Sequence, residues 1–153
     1  MIPIDLQVST IGSTGEVMIS KGLTYGHIRG LAVTSFSFGF FEVTHIETGL
    51  KIAGGFERMA NAVLAMFEIE YMTRQAGEGF DSIHSKEEAQ FFLKRIGDKE
   101  VKLSPDPSCS GASFKQFLAI VRHTVSEFPY EEEVSNPAYL ASEIDKAIEK
   151  MIN

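Results

Sequence analysis

Apolar and polar residues alternate on both sides of Glu47-Thr48-Gly49, with Phe41, Val43, Leu50 and Ile52 at strand spacing. Glycine at the end of that trio supplies the positive φ that a tight hairpin turn demands. Past Gly54-Gly55 the apolar period lengthens from two residues to about 3.6, so the hairpin runs directly into a helix. The same alternation predicts strands over Ile4 to Val8, Glu16 to Ile19, Gly30 to Phe38, Phe40 to Ile46 and Leu50 to Ala53. In LAVTSFSFGF it places Ala32, Thr34, Phe36, Phe38 and Phe40 on one face and Leu31, Val33, Ser35 and Ser37 on the other, and the aromatic face is expected to meet the helices.

Four helices are expected after the strands. The first, Phe56 to Gln75, is apolar on most sides, with Glu57, Asn61 and Glu68 as a narrow polar stripe, which is how a central helix reads. Ser85 with Glu88 and Ser113 with Gln116 have capping-box spacing and open the second and third helices. The second ends before Gly97 and the third stops at Pro129, while Asn136-Pro137 opens the fourth. Between the second and third, residues 98 to 112 hold two prolines and show little periodicity, as a long loop would. Strands followed by helices predict an α+β fold, an antiparallel sheet from the N-terminal half covered on one face by about four C-terminal helices. A length of 153 residues suits a single domain, 1 to 153.

Composition narrows the functional classes. The chain is 44% hydrophobic and 23% charged, without an apolar run long enough to span a bilayer. The N-terminus MIPIDLQVST lacks a basic segment followed by an apolar one, and Cys109 is the single cysteine, so a cytoplasmic setting is expected. Net charge is −7, of which residues 61 to 153 supply −6 through sixteen acids against ten bases. Without clustered Lys and Arg, direct binding of duplex nucleic acid is disfavoured. Glu127 and the run Glu131-Glu132-Glu133 offer instead an acidic surface for a protein partner with a basic one, an association that salt would weaken.

Chemistry-bearing residues are sparse. Gly12-Ser13-Thr14-Gly15 leads into GEVMIS, a strand and not the helix that a phosphate loop requires, so it reads as a hairpin turn. Tyr25, His27 and Arg29 lie among the glycines of GLTYGHIRG and, with His45 of the hairpin, form the alternative reading, a small-molecule site or minor enzyme centre holding an anion. His45 would otherwise close its turn by hydrogen bonding. Cys109 and His123 have no family-specific context for a nucleophile and base, and the four histidines lack metal-ligand spacing, so neither a catalytic residue, a metal nor a cofactor is expected. Exposed strand edges offer a route to a homodimer.

The segment FEVTHIETGLKIAGGF resembles a hairpin and helix of small, mostly uncharacterised phage and prophage accessory proteins. With the helix that follows, the resemblance covers about a fifth of the chain; the matching positions are Thr44, His45, Thr48, Gly49, Leu50 and Phe56, with Glu47 where that pattern often has proline. The resemblance implies an accessory protein of the bacterial cytoplasm, an inhibitor of a host or defence protein, and supplies no catalytic residue.

Overall fold

In a computed structural model, residues 1–11, 14–37, 40–109, 111–121 and 136–153 are described. Five strands come first: β1 (Pro3–Ile11), β2 (Val17–Tyr25), β3 (Leu31–Ser37), β4 (Phe40–His45) and β5 (Lys51–Phe56). They form one antiparallel sheet in the order β1-β2-β3-β4-β5. Helices α1 (Met59–Gln75) and α2 (Lys86–Gly97) follow, then a small hairpin of β6 (Glu100–Lys102) and β7 (Gly111–Ser113), then α3 (Phe114–Val121) and α4 (Pro137–Ile152). The fold is α+β, sheet first and helices after.

Three helix starts follow their sequence signals. Ser85 accepts from the Glu88 N–H at 3.1 Å, and the Glu88 carboxylate reaches back to the His84 N–H at 2.9 Å. Ser113 and Gln116 exchange both bonds of a capping box, at 3.1 and 3.0 Å. Asn136 accepts from the Ala138 N–H at 2.9 Å, with Pro137 opening α4 where its missing N–H costs nothing.

One apolar core forms where the sheet meets α1. Phe67, Met66, Ile69 and Met72 of α1 pack against Leu31, Val33 and Val43, and Phe80, Phe92, Ile144 and Ile148 close the cluster. Contrary to the expected facing of β3, it is Leu31 and Val33 that meet the helices. Ala32 and Thr34 are buried on the opposite face, where the Thr34 and Thr44 hydroxyls pair at 2.7 Å. Volume explains the choice: branched aliphatics fill the wide gap to α1, while small Ala, Thr and Gly22 suit the tight face, where a Cβ on Gly22 would come within 2.8 Å of Val8 Cγ2. Phe40 is exposed, and the side chains of Phe36 and Phe38 lie outside the described residues.

Boundaries also shift, β2 running on to Tyr25 where the alternation predicts an end at Ile19. Gly55, at φ +83°, and Phe56 finish β5, so α1 begins at Met59 and the buried Phe56 ring packs from the sheet. The expected loop of 98 to 112 contains β6 and β7. The Gln75 side chain edges that hairpin, donating to the Lys102 carbonyl at 2.6 Å and accepting from its N–H at 3.0 Å, as a third strand would.

Candidate functional site

The polar residues singled out in the glycine-rich segment sit where the sheet, α1 and α4 converge. Glu70, on the buried face of α1, is 0% exposed and accepts from Arg29 Nε at 2.7 Å and Arg74 Nε at 2.8 Å. The Arg29 main-chain N–H also approaches it, at 3.4 Å. Each guanidinium then spends a second nitrogen on a carbonyl: Arg29 on Glu78 at 2.6 Å and Arg74 on His27 at 3.0 Å. A carboxylate with two charged donors has its lone pairs filled, which is what burial of a charge requires. His27 Nδ1 lies 2.8 Å from Asp145 Oδ1, tying the β2–β3 loop to α4.

His45 faces the same region from the hairpin. Its Nε2 donates to the Phe80 carbonyl at 2.9 Å, and its Nδ1 meets the Thr48 hydroxyl at 2.7 Å. Arg29 and His45 thus fasten the same short turn, one at Glu78 and the other at Phe80. Gly30, at φ +73°, makes this possible by close approach: a Cβ there would lie 2.8 Å from the Phe80 carbonyl carbon. Tyr25 points into the core beside Phe67, ring centroids 5.3 Å apart, and burial raises its hydroxyl pKa. The fold therefore brings His27 and Arg29 together, adds Glu70, Arg74 and Asp145, and turns Tyr25 and His45 to internal partners. Chemically, this arrangement joins four segments by ion pairs and hydrogen bonds.

Glu127, Glu131, Glu132, Glu133 and His123 lie outside the described residues. Cys109 is half-buried, and its N–H donates to the Asp106 carbonyl at 2.9 Å. Among the described residues no His, Cys, Asp and Glu side chains are grouped to hold a metal ion, and no helix is long and apolar enough to cross a membrane. No protein-family model, curated protein or solved structure matches the chain.

Exposed apolar surface is the other candidate. Among the described residues β2 pairs with β3 at Gly22 and Leu23, and beyond them the β1–β2 hairpin runs on as a two-stranded ribbon that turns Val8 and Thr10 inward, 1% and 5% exposed, and its other face outward. Register puts Ile11 opposite Val17 and Ile19 opposite Ser9, all on one face. Val17 is 70% and Ile19 71% exposed, and Met18 is exposed on the reverse face. A groove of about 600 Å³ runs between α4 and the 104–107 turn, walled by Tyr139, Leu140 and Ala147 with Lys146 and Lys150 beside it.

A surface ion pair near the hairpin turn gives a pH prediction. His84 Nδ1 lies 2.9 Å from Glu47 Oε2, and the hydrogen bond and charge of Glu47 raise the His84 pKa. The bond's contribution is present below the ordinary histidine value and fades as pH rises through the raised one. In Glu47→Gln, NMR titration should find the His84 midpoint lowered toward that of a free imidazole; an unchanged midpoint would refute the assignment.

Proposed function

We propose that the protein is a non-enzymatic interaction module that grips a protein partner with the tip of the β1–β2 ribbon, while its negative charge steers it toward a basic surface. The observation that carries this reading is the row Ile11, Val17 and Ile19 on the outward face of that ribbon, with Val17 and Ile19 70% and 71% exposed. Burying branched aliphatics yields about 1.5–3 kcal/mol each, and apolar residues gathered on one projecting face mark contact surfaces more often than scattered ones do. A charge of −7 favours rapid encounter with a cation-rich surface and disfavours acidic partners. The resemblance of the β4–β5 hairpin to phage accessory proteins supports a host or defence protein of the bacterial cytoplasm as the target, with inhibition as the outcome.

Affinity capture from bacterial lysate with the wild type and with Val17→Lys and Ile19→Lys, at low and high salt, tests the reading. A specific partner should be held by the wild type at low salt, weakened by added salt, and lost by roughly tenfold or more with either ribbon variant, the scale of an interface hot spot. Both positions are exposed, so the variants should keep their circular dichroism. Retention unchanged by both substitutions would refute docking through the ribbon.

A further inference from the structure

β1 is an outer strand of the sheet, and ladder geometry fixes which of its main-chain groups are unused. The His45 N–H donates to the Leu50 carbonyl and the Ile46 N–H to the Gly30 carbonyl, so His45 turns its main-chain groups away from β3. Opposite it, Leu31, and by alternation Val33, aim theirs at β2. Val33 then hydrogen-bonds with Leu23, which leaves Thr24, Gly22, Ser20 and Met18 to bond with Ile4, Leu6, Val8 and Thr10. Pro3, Asp5, Gln7 and Ser9 therefore point their main-chain groups outward. Two observations agree. Pro3, with no N–H to offer, falls in the outward set, and the Ser9 carbonyl is met by Gly49 of the β4–β5 turn, where no side chain would fit.

Gly49 covers the edge at Ser9 and Thr10. Pro3, Ile4, Asp5 and Gln7 remain exposed, and a hollow of about 420 Å³ borders Asp5, Leu6 and Gln7, backed by Lys21 and Gly22. Ile4 and Leu6, with Ile2 just before the strand, continue toward solvent the apolar row that Val8 carries into the core, Ile2 being 82%, Ile4 48% and Val8 1% exposed. Pro3 and Asp5 are this edge's protections against pairing; beside them it offers unpaired main-chain donors and acceptors, apolar side chains and no lysine.

We propose that this edge binds β1 of a second copy, antiparallel about a twofold axis at Leu6, joining two sheets into one of ten strands. An antiparallel strand is complementary to itself, and the residues choose the register. Centring on Asp5 would set two carboxylates directly opposite each other. A centre at Gln7 would place Asp5, with both main-chain bonds to make, against Ser9 under Gly49, whereas the centre at Leu6 sets only the strand's first residue, Pro3, against Ser9, where no N–H is lost and the chain end can splay away. At Leu6, Asp5 and Gln7 exchange main-chain bonds with Gln7 and Asp5 of the copy, four in all, and Leu6 meets Leu6 while Ile4 meets Val8 in the closely spaced pairs. The strip is narrower than the roughly 1,000 Å² of a stable interface, so the dimer is weak and dissociates on dilution.

Sedimentation velocity over a dilution series of the full chain tests the pairing. The wild type should pass from dimer to monomer. Gln7→Pro, which removes two of the four bonds without touching the β1–β2 ladder, and Ile4→Lys, at an exposed position, should each raise the dissociation constant by about tenfold or more. Ile19→Lys, at the ribbon tip, should leave it unchanged, so loss of partner capture and loss of the dimer separate cleanly. Should Gln7→Pro unfold, Ile4→Lys carries the test. A wild type that is monomeric throughout, or a dimer indifferent to Ile4→Lys, would overturn the proposal.

Discussion

Glu70→Ala is expected to cost about 3–5 kcal/mol, the range for removing one partner of a buried ion pair. Against a total stability of roughly 5–15 kcal/mol for a domain, that is enough to populate the unfolded chain in mild denaturant. The loss has two parts. Three hydrogen bonds to the carboxylate disappear, and the Arg29 and Arg74 guanidiniums are left near each other with no anion between them. Arg74→Ala should cost less, about 1–3 kcal/mol, because Glu70 keeps Arg29. The damage should also be local before it is global: Arg29 and Arg74 tie the β2–β3 loop and the Glu78 carbonyl to α1. Urea unfolding of the two variants, with hydrogen exchange at residues 26–30 and 78–82, checks both the size and the place. A Glu70→Ala protein as stable as the wild type would mean that the carboxylate is dispensable.

Parts of this arrangement could be read in the chain. The Glu70–Arg74 spacing is that of neighbours on one helix face, and the capping residues Ser85, Ser113 and Asn136 announced three helix starts because their cause is local. Arg29 cannot be matched to Glu70 from sequence, since the two stand 41 positions apart and meet only when the sheet folds onto α1. The facing of β3 is hidden from the sequence for a related reason. Alternation separates two faces, but which one meets the helices depends on the width of the gap, and Ala32 and Thr34 fit the narrow side. Gly22 falls beyond the strand that alternation predicts over Glu16 to Ile19, because a glycine carries no side chain to continue the pattern; it is a strand residue whose missing Cβ admits Val8. The exposed ribbon left no signal at all, since Ile11, Val17 and Ile19 alternate as buried strand residues do.

Glu68→Gln is expected to stabilise the protein, and only above acidic pH. Glu68 is half-buried on α1 between Leu64 and Tyr71, which pack against the core one turn away on either side. Burial pushes its carboxyl pKa up to about 8 from an ordinary 4.5, because the charged form loses water there. Below pH 4.5 the carboxyl is neutral in folded and unfolded chains alike and carries no penalty. From there to about pH 8 the unfolded chain releases a proton that the folded one retains, so stability falls as pH rises, and beyond that range the cost is constant. Glutamine has the same shape and no charge to desolvate. At pH 4 the two proteins should unfold together, whereas at pH 7 the variant should gain up to about 3 kcal/mol, or roughly 5–10 °C in midpoint for a chain of this size. The same residue gives a direct readout, since a carbon-detected titration should place the Glu68 midpoint far above those of the exposed glutamates. If the Gln variant is no more stable at pH 7 than the wild type, or if Glu68 titrates with its exposed neighbours, the carboxyl is charged and solvated, and α1 carries a polar stripe open to water along the face that includes Leu64 and Tyr71.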